Sequence, residues 1–193
     1  MTAFSTRCSR KLSLFAALAA LWFLLAAPVV AYADGIEVKN TALTAADDDF
    51  VLQAEFGITL TPTLEDALNK GVSLYFLLEF ELIRPRWYWF NDKVISTQQQ
   101  YRLSYNALTR QYRIGVGNLY QNFGTLAEAL EVMSRVRRRE EIEPGVIRKD
   151  TTYTAALRLR LDVSRMPKPF QISALGSREW NIGTDWHRWT VTP

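Results

Sequence analysis

Apolar and polar positions change rhythm along this chain, and the rhythm predicts its elements. An almost unbroken apolar run from Leu12 to Ala27 follows Arg7, Arg10 and Lys11. Beyond it, alternation dominates. Ile36–Leu43 and Phe50–Leu60 read as strands, separated by a turn at Asp47-Asp48-Asp49. Val72–Ile83 alternates most strictly. Val72, Leu74, Phe76, Leu78, Phe80 and Leu82 share one face, while Ser73, Tyr75, Leu77, Glu79, Glu81 and Ile83 share the other. A period of two means a strand with one buried face. Lys93–Tyr105 and Gln111–Val116 predict a hairpin around Asn106-Ala107-Leu108-Thr109. Thr151–Val163 is a further strand, with Leu157, Leu159 and Leu161 inward and Arg158, Arg160 and Asp162 outward.

Two segments carry helix grammar instead. Thr61-Pro62-Thr63-Leu64-Glu65-Asp66 places a cap, a first-turn proline and acids at a helix start, and Gly71 closes it. Thr125 with Glu128 forms a capping box, and Leu126, Ala129, Leu130, Val132, Met133 and Val136 supply an apolar side. Arg135, Arg137, Arg138 and Arg139 then read as a basic helix end, followed by a charged connector from Glu140 to Asp150. Pro167-Lys168-Pro169 interrupts the chain, and Phe170–Trp180 and Trp186–Val191 complete it. The resulting expectation is a mainly β, antiparallel β-sandwich-like single domain with two short connecting helices. The similar helix starts Thr63–Leu68 and Thr125–Leu130 are read as repeated capping chemistry rather than duplication.

The first 33 residues change what this domain can meet. Basic residues, an apolar run and Ala31-Tyr32-Ala33 make a Sec-type signal peptide with an A-x-A cleavage site. Residues 1–33 are expected to be cleaved, which leaves 34–193 as one β-rich domain outside the cytoplasm, in the periplasm. Cleavage is favoured over retention as an anchor, because Leu12–Val30 barely reaches the roughly 20 residues of a spanning helix. Membrane contact is then expected only through the leader. The only cysteine, Cys8, precedes the apolar run, so neither a lipid anchor nor a disulfide in the exported chain is expected.

Charge follows the same cut. The chain has 23 Lys+Arg and 20 Asp+Glu, and the leader takes three bases and no acid. What remains is balanced, so the basic pI argues for no nucleic-acid partner.

Candidate chemistry is sparse. Glu79 and Glu81 lie two apart on one strand face, about 7 Å from each other, a spacing compatible with a sugar-cleaving carboxylate pair. Arg158 and Arg160 have the same spacing, and a cross-strand ladder using all four is the favoured reading. His187 is the only histidine, with no nucleophile motif to serve, and is read as a surface residue on an edge strand. With one histidine and no cysteine after the leader, no metal or other cofactor is expected. The three aspartates at 47–49 are read as a solvated turn. No catalytic motif is present, and the chain is read as a non-enzyme.

The strongest functional segment is Arg84-Pro85-Arg86-Trp87-Tyr88-Trp89-Phe90. Four consecutive aromatics on an extended chain put two rings on each side: one pair can enter the core, and the other meets either solvent or a partner, or a covering element such as the second helix. Arginine and aromatics are the residue types enriched at binding hot spots, so Arg86, Trp87, Tyr88 and Trp89 are the candidate partner-binding residues.

Those residues, with Tyr101–Tyr105, Leu108–Arg113 and Glu179-Trp180-Asn181 with Trp186, resemble a family of exported proteobacterial proteins, domain-of-unknown-function family 4390. The resemblance brings no catalytic residues. It implies an accessory role in envelope signalling, because genes of the family are described near a membrane sensor kinase and response regulator of the nitrogen-regulation type. The expected function is therefore a binding module for an envelope or membrane sensor protein. The alternatives are cell-wall glycan binding or hydrolysis, and a structural envelope protein.

Overall fold

In a computed structural model, residues 35–46, 49–85, 92–140, 147–148 and 151–192 are described. They form nine strands in two antiparallel sheets. The smaller sheet has the order β1-β2-β7, built from β1 (Gly35–Ala46), β2 (Asp49–Thr59) and β7 (Arg135–Glu140). The larger has the order β6-β5-β4-β3-β8-β9. Its strands are β3 (Leu74–Arg84), β4 (Asp92–Asn106), β5 (Gln111–Val116), β6 (Leu119–Phe123), β8 (Tyr153–Leu161) and β9 (His187–Val191).

The alternation of β3 explains why it sits mid-sheet, between β4 and β8. Leu74, Phe76, Leu78, Phe80 and Leu82 are buried, and across the register they meet Leu103 and Ile95 of β4 and Leu157, Leu159 and Leu161 of β8. Leu52, Ala54 and Phe56 of β2 join the same core from the other sheet. Each fully buried large apolar side chain contributes on the order of 1.5–3 kcal/mol, so this core holds the fold without disulfides. It is the mainly β, two-sheet domain expected from the alternation.

The helices close the core at its margins. In α1 (Pro62–Asn69) the Thr61 hydroxyl accepts from the Leu64 amide, and Leu64, Ala67 and Leu68 are buried. In α2 (Leu126–Ser134) the Thr125 hydroxyl accepts from the Glu128 amide, while the Glu128 carboxylate accepts from the Gly124 amide. Ala129 and Met133 are buried, but Val132, expected on the apolar side, is exposed.

Three local readings differ from expectation. Arg135–Glu140 is strand β7, not a basic helix end, because its backbone completes the edge of β2 through the pairs Ala54↔Val136 and Leu52↔Arg138. Pairing with a neighbouring strand outweighs the local charge pattern there. A third helix, α3 (Lys168–Ala174), occupies the proline-bounded segment, since Pro167 and Pro169 suit a helix start rather than forbid one. Strand β6 extends the sheet beyond β5. Among the described residues, no helix is long and apolar enough to cross a membrane.

Candidate functional site

One face of the six-stranded sheet is turned away from the core, and registry decides what shares it. Tyr75 of β3 lies opposite Arg102 of β4, Arg102 opposite Gly115 of β5, and Gly115 opposite Tyr120 of β6. These four positions form one row, about 15 Å long at the spacing of neighbouring strands. The next row outward carries Ser104, Arg113 and Asn122. Toward β8, Leu77 pairs with Gln100 and Arg160, and Glu79 pairs with Gln98 and Arg158. Glu81 faces Ser96 and Ala156, and Ala156 faces Arg188 of β9.

Three arginines on this face are stacked on aromatic rings. The Arg102 guanidinium lies 5.8 Å from the Tyr75 ring centre, Arg113 5.9 Å from Tyr120, and Arg158 4.6 Å from Trp186. A guanidinium over a ring gains from the ring quadrupole and keeps its plane in a fixed orientation. Hydrogen bonds fix two of them further. Arg102 donates to the Ser73 hydroxyl from Nε at 3.2 Å, and Arg113 Nε donates to Asn122 Oδ1 at 2.8 Å. Gly115 matters to this geometry: a Cβ there would stand 2.8 Å from Cε1 of Tyr120, so the ring lies flat across β5 only because no side chain intervenes.

The face is strongly cationic. Lys93, Arg102, Arg113, Arg158, Arg160 and Arg188 stand on it against the strand carboxylates Glu79 and Glu81, with Asp162 just past the end of β8. Both strand carboxylates are already engaged. Arg158 reaches Glu79 Oε2 from Nη2 at 2.6 Å and Arg160 reaches the same oxygen from Nε at 3.0 Å. Lys93 Nζ is 2.7 Å from Glu81 Oε1. The Glu/Arg ladder read from the sequence therefore converges on Glu79, and Glu81 is taken by a lysine across the hairpin. Glu79 is only 8% exposed. Arg188 is exposed and without a partner among the described residues.

The sequence candidates fall variously around this face. Arg86, Trp87, Tyr88 and Trp89 lie outside the described residues, as do Asp47 and Asp48. The flanks of the aromatic segment are placed: β3 and β4 pair as far as Arg84↔Asp92, so residues 85–91 join the two central strands of the face. His187 is exposed on the edge strand β9, its ring 5.7 Å from that of Trp189. Sequence reasoning missed the stacked pairs. Tyr75 and Trp186 were visible, but their partners come from other strands and only registry unites them.

A second polar group sits inside, between the sheets. Glu140 of β7 is 2% exposed, with Arg138 Nε 3.1 Å from its Oε1. Burial pushes the Glu140 carboxyl above the usual carboxylate range, and Arg138 and the Thr97 hydroxyl pull partly against that. Across from them, burial raises the Tyr101 phenol, again partly offset by Arg138. These groups couple β7 to β4 and are closed to a large ligand.

With this geometry in hand, the chain can be placed among known proteins. Residues 33–190 match the family described as Domain of unknown function (DUF4390), and the chain belongs to that family. No curated protein and no solved structure matches it.

Proposed function

We propose that this DUF4390 domain is a non-enzymatic binding module that works in the periplasm after Sec-type export. The outer face of its six-stranded sheet docks on an acidic surface of an envelope protein, with the outer part of a membrane sensor kinase as the first candidate. The observation that carries this reading is the pair of ring-stacked arginines on this sheet face, Arg102 and Arg113, neither of them ion-paired among the described residues, while Glu79 and Glu81 are already taken by Arg158, Arg160 and Lys93. Arginine forks bind carboxylates in two-point geometry, and a fork fixed beforehand loses little freedom on binding. Arg86, Trp87, Tyr88 and Trp89, in the segment between the two central strands, remain the candidate contact residues beside it.

A glycan reading has one supporting feature, the Tyr120 ring, which is 60% exposed and laid flat over Gly115, as a sugar-stacking ring would be. Hydrolysis finds less support. A glycosidase needs one carboxyl free to give a proton and another free to attack or to activate water. Glu79 and Glu81 are instead bound to Arg158, Arg160 and Lys93.

In-cell photocrosslinking tests the proposal. A crosslinkable residue replaces Tyr120, and in a parallel strain Val132 on α2, and adducts are identified by mass spectrometry. One dominant protein adduct from position 120 and none from 132 is expected. The reading fails if position 120 yields no protein adduct in a folded domain, and glycan attached there moves the weight to the second reading.

A further inference from the structure

Helix α3 presents apolar side chains outward that no part of the described fold covers. Ile172 is 71% exposed and Leu175, at the helix end, is 89% exposed. They border an open groove of about 360 Å³ whose lining is predominantly apolar, with Val163 on its far side. An exposed leucine alone means little, but two adjacent ones over an apolar groove form a patch.

The patch is rigidly mounted. Phe170 packs against Trp180 with ring centres 5.6 Å apart, and Trp180 is buried. The Gln171 amide nitrogen donates to the carbonyls of Ser164 at 2.9 Å and Met166 at 2.7 Å, which ties α3 to the preceding turn. The outward pose of Ile172 and Leu175 is thus fixed by the packing of the opposite side of the helix.

Charge around the patch leans positive. From Val163 to Arg178 the chain carries Arg165, Lys168 and Arg178 and no acidic residue; Asp162, 4.0 Å from Arg165, and Glu179 stand just outside. Apolar side chains beside an excess of cations on a short amphipathic segment are the pattern of an interfacial contact with anionic lipid. The turn that follows α3 is tied to the start of α1, where the Thr61 hydroxyl donates to the Glu179 carbonyl at 2.9 Å.

We infer that α3 docks on an anionic phospholipid surface, with Ile172 and Leu175 entering the interface and Arg165, Lys168 and Arg178 meeting the headgroups. This contact is separate from the arginine face, and it adds a membrane contact beyond the leader. It stands or falls independently of any protein partner.

The test places an environment-sensitive fluorophore on α3 in the full chain. Cys8→Ser removes the only native thiol, and Leu175→Cys supplies the label site. Leu108→Cys, at a 96% exposed leucine in the β4–β5 turn, is the control. Vesicles contain phosphatidylcholine alone or with about 30% phosphatidylglycerol, plus a lipid-borne quencher. The expected result is a blue shift and quenching at position 175 with the anionic vesicles and neither at position 108. Lys168→Glu with Arg178→Glu is expected to weaken binding by about fivefold for each charge lost, before counting repulsion. No quenching at 175, equal quenching at 108, or quenching that ignores phosphatidylglycerol and the charge reversals would each overturn the inference. Protection of the probe only in the presence of added envelope proteins would assign the patch to a protein and overturn it too.

Discussion

Replacing Glu79 with glutamine separates a brace from a catalytic acid. Three guanidinium contacts converge on Glu79 Oε2: Arg158 through Nη2 at 2.6 Å and Nε at 2.9 Å, and Arg160 through Nε at 3.0 Å. The amide keeps the shape and one accepting oxygen, so the loss is the charge assistance rather than the contacts. Charge-assisted hydrogen bonds contribute roughly 1.5–3 kcal/mol and neutral ones about 1 kcal/mol, a difference of about 1 kcal/mol for each arginine. The Arg160 side chain is 37% exposed, so its share is reduced by solvent. The expected cost of Glu79→Gln is then about 1.5 kcal/mol, which for a domain of this size lowers Tm by roughly 3–6 °C. Glu81→Gln is the internal reference. Its partner Lys93 has a side chain 58% exposed, and such a pair contributes no more than about 0.5 kcal/mol. Thermal unfolding followed by circular dichroism measures both. A Glu79→Gln protein as stable as wild type, or no less stable than Glu81→Gln, would refute the brace. So would a glycan-cleaving activity that disappears with Glu79→Gln while Tm holds.

Other expectations follow from single contacts. The raised Glu140 carboxyl means that the folded state holds its proton to higher pH than the unfolded chain, so this group's stabilisation is full below the ordinary glutamate range and is lost as pH rises through its folded value. Wild type should therefore gain on Glu140→Gln as pH falls, and a Tm difference that is constant or grows with pH would contradict this. Thr61 is 6% exposed, donates to the Glu179 carbonyl and caps α1, so Thr61→Ala should cost about 1–2 kcal/mol in urea unfolding; a change within error would show that neither bond matters. A Cβ at Gly183 would lie 2.8 Å from Arg160 Cβ and 3.1 Å from its Cα, so Gly183→Ala should cost about 1–3 kcal/mol and loosen Arg160 from Glu79. A Gly183→Ala protein that keeps full stability would mean that the loop yields freely.

What could be read from the chain depended on how local the cause was. The β3 alternation was legible because every second residue from Leu74 to Leu82 enters the core, and the Thr61 and Thr125 caps act within three residues of themselves. Strand β7 was not legible, because Arg-Val-Arg-Arg-Arg-Glu contains one apolar residue and is held by pairing with β2, some 80 residues earlier by position. Strand β6 has a local signal in Gly117, with φ 56°, which precedes Asn118 at a tight hairpin turn. For α3, the two prolines read as an interruption in the sequence, yet their positions suit a first helical turn. Of the candidate face, the outward direction of Arg158 and Arg160 was legible from alternation, while the Tyr75–Arg102 and Arg158–Trp186 stacks required registry between distant strands.

The most direct test of the binding role compares two faces at equal charge change. Crosslinker at position 120 reports adduct yield in cells carrying Arg102→Glu with Arg188→Glu on the six-stranded sheet. A second strain carries Arg135→Glu with Arg137→Glu, exposed on β7 of the smaller sheet. The proposed role predicts that the first pair lowers the adduct by at least about tenfold and that the second leaves it near wild type. Equal loss in both strains, or no loss in the first, would contradict it.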